Sequence, residues 1–185
     1  MKLIAGLGNP GRSYAGHRHN AGFFVIDELA NRHGIRLAKR SFGALIGSGV
    51  VGGESVLLVK PQQYMNLSGE PIKSLLGYYR LEQDSLVVIH DDLDLDPGRI
   101  KVVRGSGHAG HNGVRSIIDE LDTSDFVRVR LGIGRPPAGM DGADYVLMPF
   151  PKEEFESVAK SVALAADAVE VIIEKGLAAA QQKYH

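Results

Sequence analysis

Histidines, carboxylates and asparagine amides gather at a few points of this chain where a packed core would have no use for them. Asn9 follows a short apolar run, His17-Arg18-His19-Asn20 lies in a long turn, and Met65-Asn66 stands just ahead of a helical stretch. His90-Asp91 closes the run Ser85 to Ile89, and the glycine-rich segment Gly105 to Gly113 carries His108, His111 and Asn112. A His with a carboxylate available and several amides, but no obvious nucleophile, suits activation of water. A neutral imidazole takes the proton, while an Asp fixes its tautomer and stabilises the imidazolium. Amide N–H groups then steady the developing oxyanion. Spacing alone does not say which His pairs with which Asp.

Other chemistries fit less well. There is no G-x-S-x-G elbow, no GK[ST] phosphate loop and no H-E-x-x-H. Asp92-x-Asp94-x-Asp96 imitates a calcium loop, but Pro97 stands where its glycine belongs and Val103 where its bidentate Glu belongs. His17-x-His19 and His108-x-x-His111 could offer metal ligands, yet no thiolate supports them, so no metal is assigned. Gly6-x-Gly8-x-x-Gly11 matches the dinucleotide fingerprint, which needs a helix starting at its third glycine. Here the next helical pattern starts about ten residues late, so the glycines read as a tight turn at a strand end.

The elements that must position these groups follow from periodicity. Lys2 to Leu7 reads as a buried strand, and Phe23, Val25, Ile26, Leu29 and Ala30 recur at helical spacing before His33-Gly34. Gly43 to Val51 and Ser55 to Val59 form a hairpin through Gly52-Gly53. Ser68 to Tyr79 is helical with Ser68 as N-cap. Ser85 to Ile89, Ile100 to Val103 and Phe126 to Ile133 are strands, and Asn112 to Leu121 a helix. Lys152 to Lys175 is the clearest helix, stopped by Gly176. Pro136 to Asp144 reads as a mobile loop. Alternating strands and helices give an α/β class, a single domain over residues 1–185 with a mixed β-sheet flanked by α-helices.

Composition agrees. The 185 residues are 44% hydrophobic, enough to bury a core, and 21 Lys+Arg against 22 Asp+Glu leave a net charge of -1. That argues against bulk, sequence-blind polyanion binding but leaves room for a local basic patch. Arg99, Lys101, Arg104, Arg115, Arg128, Arg130 and Arg135 lie in one stretch with only four acids, a surface able to contact a few phosphates. With no Cys there is neither a disulfide nor a cysteine nucleophile. No apolar run reaches the length of a membrane span, and the first residues are too short and Gly-rich for a signal peptide. A soluble cytoplasmic protein is expected.

Taken together, Gly6 to Gly22 (GLGNPG-x-x-Y-x-x-x-RHN-x-G), Pro61 to Gly69 (P-x-x-Y-MNLSG), His90 to Gly98 (HDDLDLDPG) and Gly105 to Ile117 (GSGHAGHNG-x-x-S-I) resemble bacterial peptidyl-tRNA hydrolase. Phe126 to Pro136 continues the match, so the resemblance covers nearly the whole chain. It implies hydrolysis of the ester between a peptide's C-terminus and the 3′-terminal ribose of tRNA, by a monomer that needs no metal, cofactor, membrane or protein partner. The substrate would be held by its 3′ CCA end and acceptor stem. By that similarity His19 is the base, Asp91 its orienting carboxylate, and Asn9, Asn66 and Asn112 hold the peptide, the 3′ end and the attacking water. Met65 and Tyr14 line the cleft, with Tyr14 a stacking platform for the terminal adenine or ribose. Arg130 matches the arginine of the family's clamp on the tRNA 5′-phosphate, but the clamp's lysine falls at Val103. Lys101, two residues away and so on the same strand face, is the better substitute than Arg104. The family also resembles chloroplast splicing factors that bind without hydrolysis; the intact His19, Asp91 and Asn set speaks against that reading. A nicotinamide-dependent oxidoreductase and a small-substrate amidase are further rivals.

Overall fold

In the computed structural model, which describes all 185 residues, one seven-stranded sheet carries everything else. Its strands are β1 (Lys2–Gly6), β2 (Lys39–Ser41), β3 (Ala44–Val51), β4 (Glu54–Pro61), β5 (Leu86–Asp92), β6 (Ile100–Arg104) and β7 (Val127–Gly132). They are ordered β2-β3-β4-β1-β5-β7-β6. The four central strands β4, β1, β5 and β7 run parallel, and β2, β3 and β6 are antiparallel to their neighbours. The mixed α/β architecture expected from the sequence is the one found.

Helices α1 (Ala21–His33), α5 (Phe155–Lys175) and α6 (Leu177–Lys183) cover one face, and α2 (Gly69–Tyr78) and α3 (Asn112–Leu121) the other. Strand alternation sorts the core accordingly. Ile4 packs with Val25, Ile26 and Leu29 of α1, while Leu3 and Ala5 pack with Ile72 and Leu75 of α2. Small residues on α5, Ala165, Ala166 and Ala168, are fully buried and let that helix lie close on the sheet.

The connection leaving β1 crosses on the α1 face, whereas α3, which follows β5 and β6, lies on the opposite face. A crevice therefore opens at the carboxyl ends of β1 and β5, the place where open α/β sheets hold ligands.

Several boundaries differ from the sequence reading. Strand β5 runs through Asp92, so His90 and Asp91 belong to the strand and are buried. Helix α1 starts at Ala21, and α5 starts at Phe155 after a 3-10 turn over Lys152–Glu154. Ser68 does not cap α2, because its hydroxyl donates to the Met65 carbonyl at 2.7 Å. The segment read as a mobile loop runs into α4 (Gly142–Val146), whose N-cap Asp141 accepts from the Ala143 N–H at 3.3 Å. Gly6 and Gly8 serve packing more than turning. A Cβ on Gly6 would strike the Gly22 carbonyl and Ile26, and one on Gly8 would lie 2.7 Å from the Phe23 ring. The first glycines of the false dinucleotide fingerprint thus bring α1 against the end of β1.

Candidate active site

His19 sits in a 3-10 turn (Arg18–Asn20) that leads into α1, and Asp91 is the penultimate residue of β5. The fold brings them together: His19 Nδ1 lies 2.9 and 3.0 Å from the two Asp91 oxygens. The imidazole donates from Nδ1, and its Nε2 lone pair is left free to take a proton. Burial alone would lower the His19 pKa, but the charge of Asp91 and their hydrogen bond outweigh it and raise the pKa above 6.5. Burial would raise the Asp91 pKa, yet the imidazoles of His19 and His111 hold it far below the usual carboxylate range.

His111, which the sequence reading left without a role, completes the group. Its Nδ1 accepts from the N–H groups of Gly113 and Val114 at 3.1 and 3.3 Å, capping α3. Its proton must therefore reside on Nε2, which donates to Asp91 Oδ1 at 2.9 Å. One carboxylate thus orients two imidazoles whose ring centroids are 4.7 Å apart. His19, Asp91 and His111 place ligand atoms within 4.8 Å of one another, a spacing that could hold a cation. Their hydrogen bonding does not fit one: the nitrogens facing Asp91 both carry protons, and a nitrogen with a proton has no lone pair for a metal.

Asn9 and Asn20 link this centre to the neighbouring strands. The Asn9 N–H donates to Asn20 Oδ1 at 2.9 Å, and Asn20 Nδ2 donates back to the Asn9 carbonyl at 3.0 Å. Asn9 Oδ1 accepts from the Met65 N–H at 2.7 Å, which commits its oxygen and leaves its Nδ2 as the free donor. Asn20 has no role in the sequence reading, although the polar turn and the RHN motif both contain it. Met65 is buried, and a Cβ on Gly113 would lie 2.5 Å from its sulfur, so it supports the first turn of α3. Asn66 and Asn112 are exposed, Asn66 in the turn before α2 and Asn112 as the first residue of α3. Tyr14 is half-buried and edge-on to His17 and Tyr64, with centroids 5.4 and 6.3 Å away.

Arg18 anchors the far wall. Its guanidinium donates to the Met148 and Pro149 carbonyls at 3.4 and 3.0 Å and stacks 4.1 Å over the Tyr145 ring. The residues after α4 are thereby fastened to the turn that carries His19. Beside His19 opens a cavity of about 330 Å³, bounded by the Ser106 to Asn112 loop, the end of β5, Arg128 and Arg130 of β7, and α4.

The alternation along β7 sends Val127, Val129 and Leu131 into the core beneath α5 and puts Arg128 and Arg130 on the other face. Arg130 Nε is 2.5 Å from Asp92 Oδ2. Lys101 is the direct cross-strand partner of Arg130 and is exposed, so the two cations are neighbours. Arg104 instead pairs with Asp125 and Asp84 at 2.7 and 2.5 Å and is spent there. Arg130 lines the cavity beside His19, and Lys101 lies outside that cavity.

The family model for peptidyl-tRNA hydrolase matches residues 3–185 of this chain. A peptidyl-tRNA hydrolase of Oceanobacillus iheyensis is 52% identical over 174 residues, covering 94% of this chain and 93% of that relative. One from Geobacillus kaustophilus is 51% identical over 174 residues, with 94% of each covered. A crystal structure of peptidyl-tRNA hydrolase from Acinetobacter baumannii superimposes with a TM-score of 0.92 at 35% identity, covering 99% of this chain and 93% of that one.

Proposed function

The chain belongs to the peptidyl-tRNA hydrolase family, and from that premise we propose that it hydrolyses the ester of peptidyl-tRNA with a water molecule activated by His19. The observation that carries this reading is the hydrogen bond of His19 Nδ1 to Asp91, which points the imidazole's other nitrogen, with its lone pair, away from the carboxylate. Water held at Nε2 loses a proton to it as the oxygen attacks the ester carbonyl. Asp91, ionised and held by two imidazole N–H donors, stabilises the imidazolium that forms. The tetrahedral oxyanion needs donors, and Asn9 Nδ2 is pre-oriented to be one because its oxygen is already committed to Met65. When the intermediate collapses, the imidazolium returns its proton to the departing ribose oxygen, giving free tRNA and a peptide acid. No step calls for a metal or a redox cofactor.

Asn66, exposed in the turn ahead of α2, and Asn112, exposed at the start of α3, hold substrate on either side of the carbonyl, with Tyr14 and Met65 as cleft wall. Lys101 and Arg130 take the 5′-phosphate of the acceptor stem, and the 3′ CCA end enters the crevice. We infer that the chain works in this way as a monomer in the cytoplasm during translation, as one domain over residues 1–185. No helix is long and apolar enough to cross a membrane.

The test is release of tRNA from N-acetyl-aminoacyl-tRNA against aminoacyl-tRNA with a free amine, with chelator present. Wild type should cleave only the acetylated substrate, and His19→Ala should lose about 10²–10⁴-fold while keeping its fold. Full activity in that variant removes His19 as the base; loss of wild-type activity to chelator removes the metal-free reading.

A further inference from the structure

A buried cation without a counter-ion stands at the back of the cavity beside His19. Arg128 is 2% exposed and donates from Nη2 to the Gly107 carbonyl at 3.0 Å. Its Nε–H has no acceptor. Asp92, the acid that bears on it, is already held by Arg130 at 2.5 Å. Burial, then the repulsion of Arg130, lowers the Arg128 pKa to about 10, so the guanidinium is still charged at neutral pH. Buried charges are ordinarily paired, because an unpaired one forfeits its hydration with nothing in return.

A second residue lining the same cavity has a buried atom without a partner. His90 is 3% exposed and donates from Nδ1 to the Asp91 carbonyl at 2.8 Å, which leaves a lone pair on Nε2. No donor meets it. Burial, with the neighbouring His111 and Arg128, keeps this imidazole neutral by lowering its pKa well below 6.5.

A cationic donor and a bare acceptor in one pocket match a group that is anionic and has a hydroxyl close by. Peptidyl-tRNA offers that pair on only one side of its ester. The peptide side has no constant charge, whereas the nucleotide side has a ribose hydroxyl and, one ribose away, a phosphodiester. The cavity shares His19 and Asp91 with the hydrolytic centre, so the phosphodiester within reach is the one nearest the ester.

We propose that Arg128 and His90 form a nucleotide subsite: Arg128 binds the phosphodiester joining the last two nucleotides, and His90 Nε2 accepts from the terminal ribose hydroxyl. The proposal rests on His19 being the base, since that places the ester. The phosphate it takes is a different one from the 5′-phosphate assigned to Lys101 and Arg130, although Arg130 lines the same cavity.

Two measurements test it. The Arg128 Nε–H resonance of the wild-type protein is followed by NMR during titration with inorganic phosphate, adenosine 5′-monophosphate and adenosine. Phosphate and the nucleotide should shift it and adenosine should not, with the nucleotide acting at lower concentration than free phosphate. No shift with the nucleotide at millimolar concentration overturns the subsite, and equal potency of the two makes it a site for free phosphate, which also overturns it. In kinetics, Arg128→Gln should raise KM for N-acetyl-aminoacyl-tRNA by about tenfold or more, as loss of a charge-assisted pair does. The effect should be at least severalfold smaller on an N-acetyl-aminoacyl ester of adenosine, which has no phosphate, and Arg128→Lys should recover part of it. It should persist on tRNA bearing a 5′-hydroxyl. Equal loss on both substrates, or disappearance with the 5′-hydroxyl, refutes the assignment. If Arg128→Gln does not fold, the resonance of the wild type decides. A His19→Ala variant still active on both esters would overturn the reading of the base, while the titration would still report on the subsite.

Discussion

Replacing Asp91 by Asn separates charge from shape in this site, and the structure dictates which way the amide must turn. His111 has no choice of tautomer, because its Nδ1 is committed to the Gly113 and Val114 N–H groups and its Nε2–H requires an acceptor. The amide oxygen of an Asp91→Asn variant therefore faces His111, and the amide NH2 faces His19. His19 Nδ1 must then accept, its proton moves to Nε2, and the lone pair that should receive the proton of water is gone. Restoring the useful tautomer sets one N–H against another at a buried position, about 1–3 kcal/mol. Losing the charged partner of the imidazolium costs about 1.5–3 kcal/mol more. The sum, about 2.5–6 kcal/mol, corresponds to a fall in kcat of roughly 10²–10⁴. Single-turnover hydrolysis of N-acetyl-aminoacyl-tRNA measures it, with circular dichroism to verify the fold. Because the turn of the amide is imposed by His111, adding His111→Ala should cost Asp91→Asn less than it costs wild type. An Asp91→Asn enzyme within tenfold of wild type would refute the tautomer argument.

The raised His19 pKa fixes the sign of the pH response: kcat/KM should fall as pH drops through a value above 6.5, since the base must be neutral. The same shift stabilises the fold below the unfolded His pKa and is lost as pH rises through the folded one. The stability gap between wild type and His19→Ala, from urea melts, should therefore be larger at about pH 5.5 than at about pH 8.5. Gly6→Ala should destabilise by roughly 1–3 kcal/mol or more in the same melts, because its Cβ meets the Gly22 carbonyl backbone rather than a movable side chain. Lys101→Ala should weaken tRNA binding and reduce the salt slope by roughly 0.7–0.9, whereas Arg104→Ala, already paired with Asp84 and Asp125, should leave the slope unchanged.

The elements that follow a strict period were legible from the chain alone. The apolar runs of β1 and β5, the spacing in α1 and α5, and the Gly52-Gly53 hairpin turn each declare themselves locally. The short β2 strand and α6 do not: Lys39–Ser41 has no apolar alternation, and the chain resumes helix immediately after the Gly176 stop. Helix α4 was hidden in a Pro- and Gly-rich stretch, its turn stabilised by an Asp141 cap and by burial of Tyr145 and Val146. The site divides likewise. His19 and Asp91 stood out by residue type and by resemblance, but the partner of Asp91 on its other side required knowing that the loop before α3 folds back over β5. Arg128 could not be told from a surface arginine, since the alternation of β7 predicts its face but not that the Ser106 to Asn112 loop covers it.

The stitching of Asn9 to Met65 and of His19 to Asp91 has a consequence for how this protein becomes active. Those bonds close separations of 56 and 72 residues and join the exits of three different strands. Neither contact can be local, so each waits on the slow closure of long loops that central parallel strands impose. Helical signal can return early in refolding while the imidazole and the amides are still apart. Recovery of hydrolysis should therefore trail recovery of ellipticity and coincide with burial of the central strands, making the reaction itself a clock for the last step of folding. For the same reason a chain interrupted between β4 and β5 should regain activity only by reassembly of both pieces.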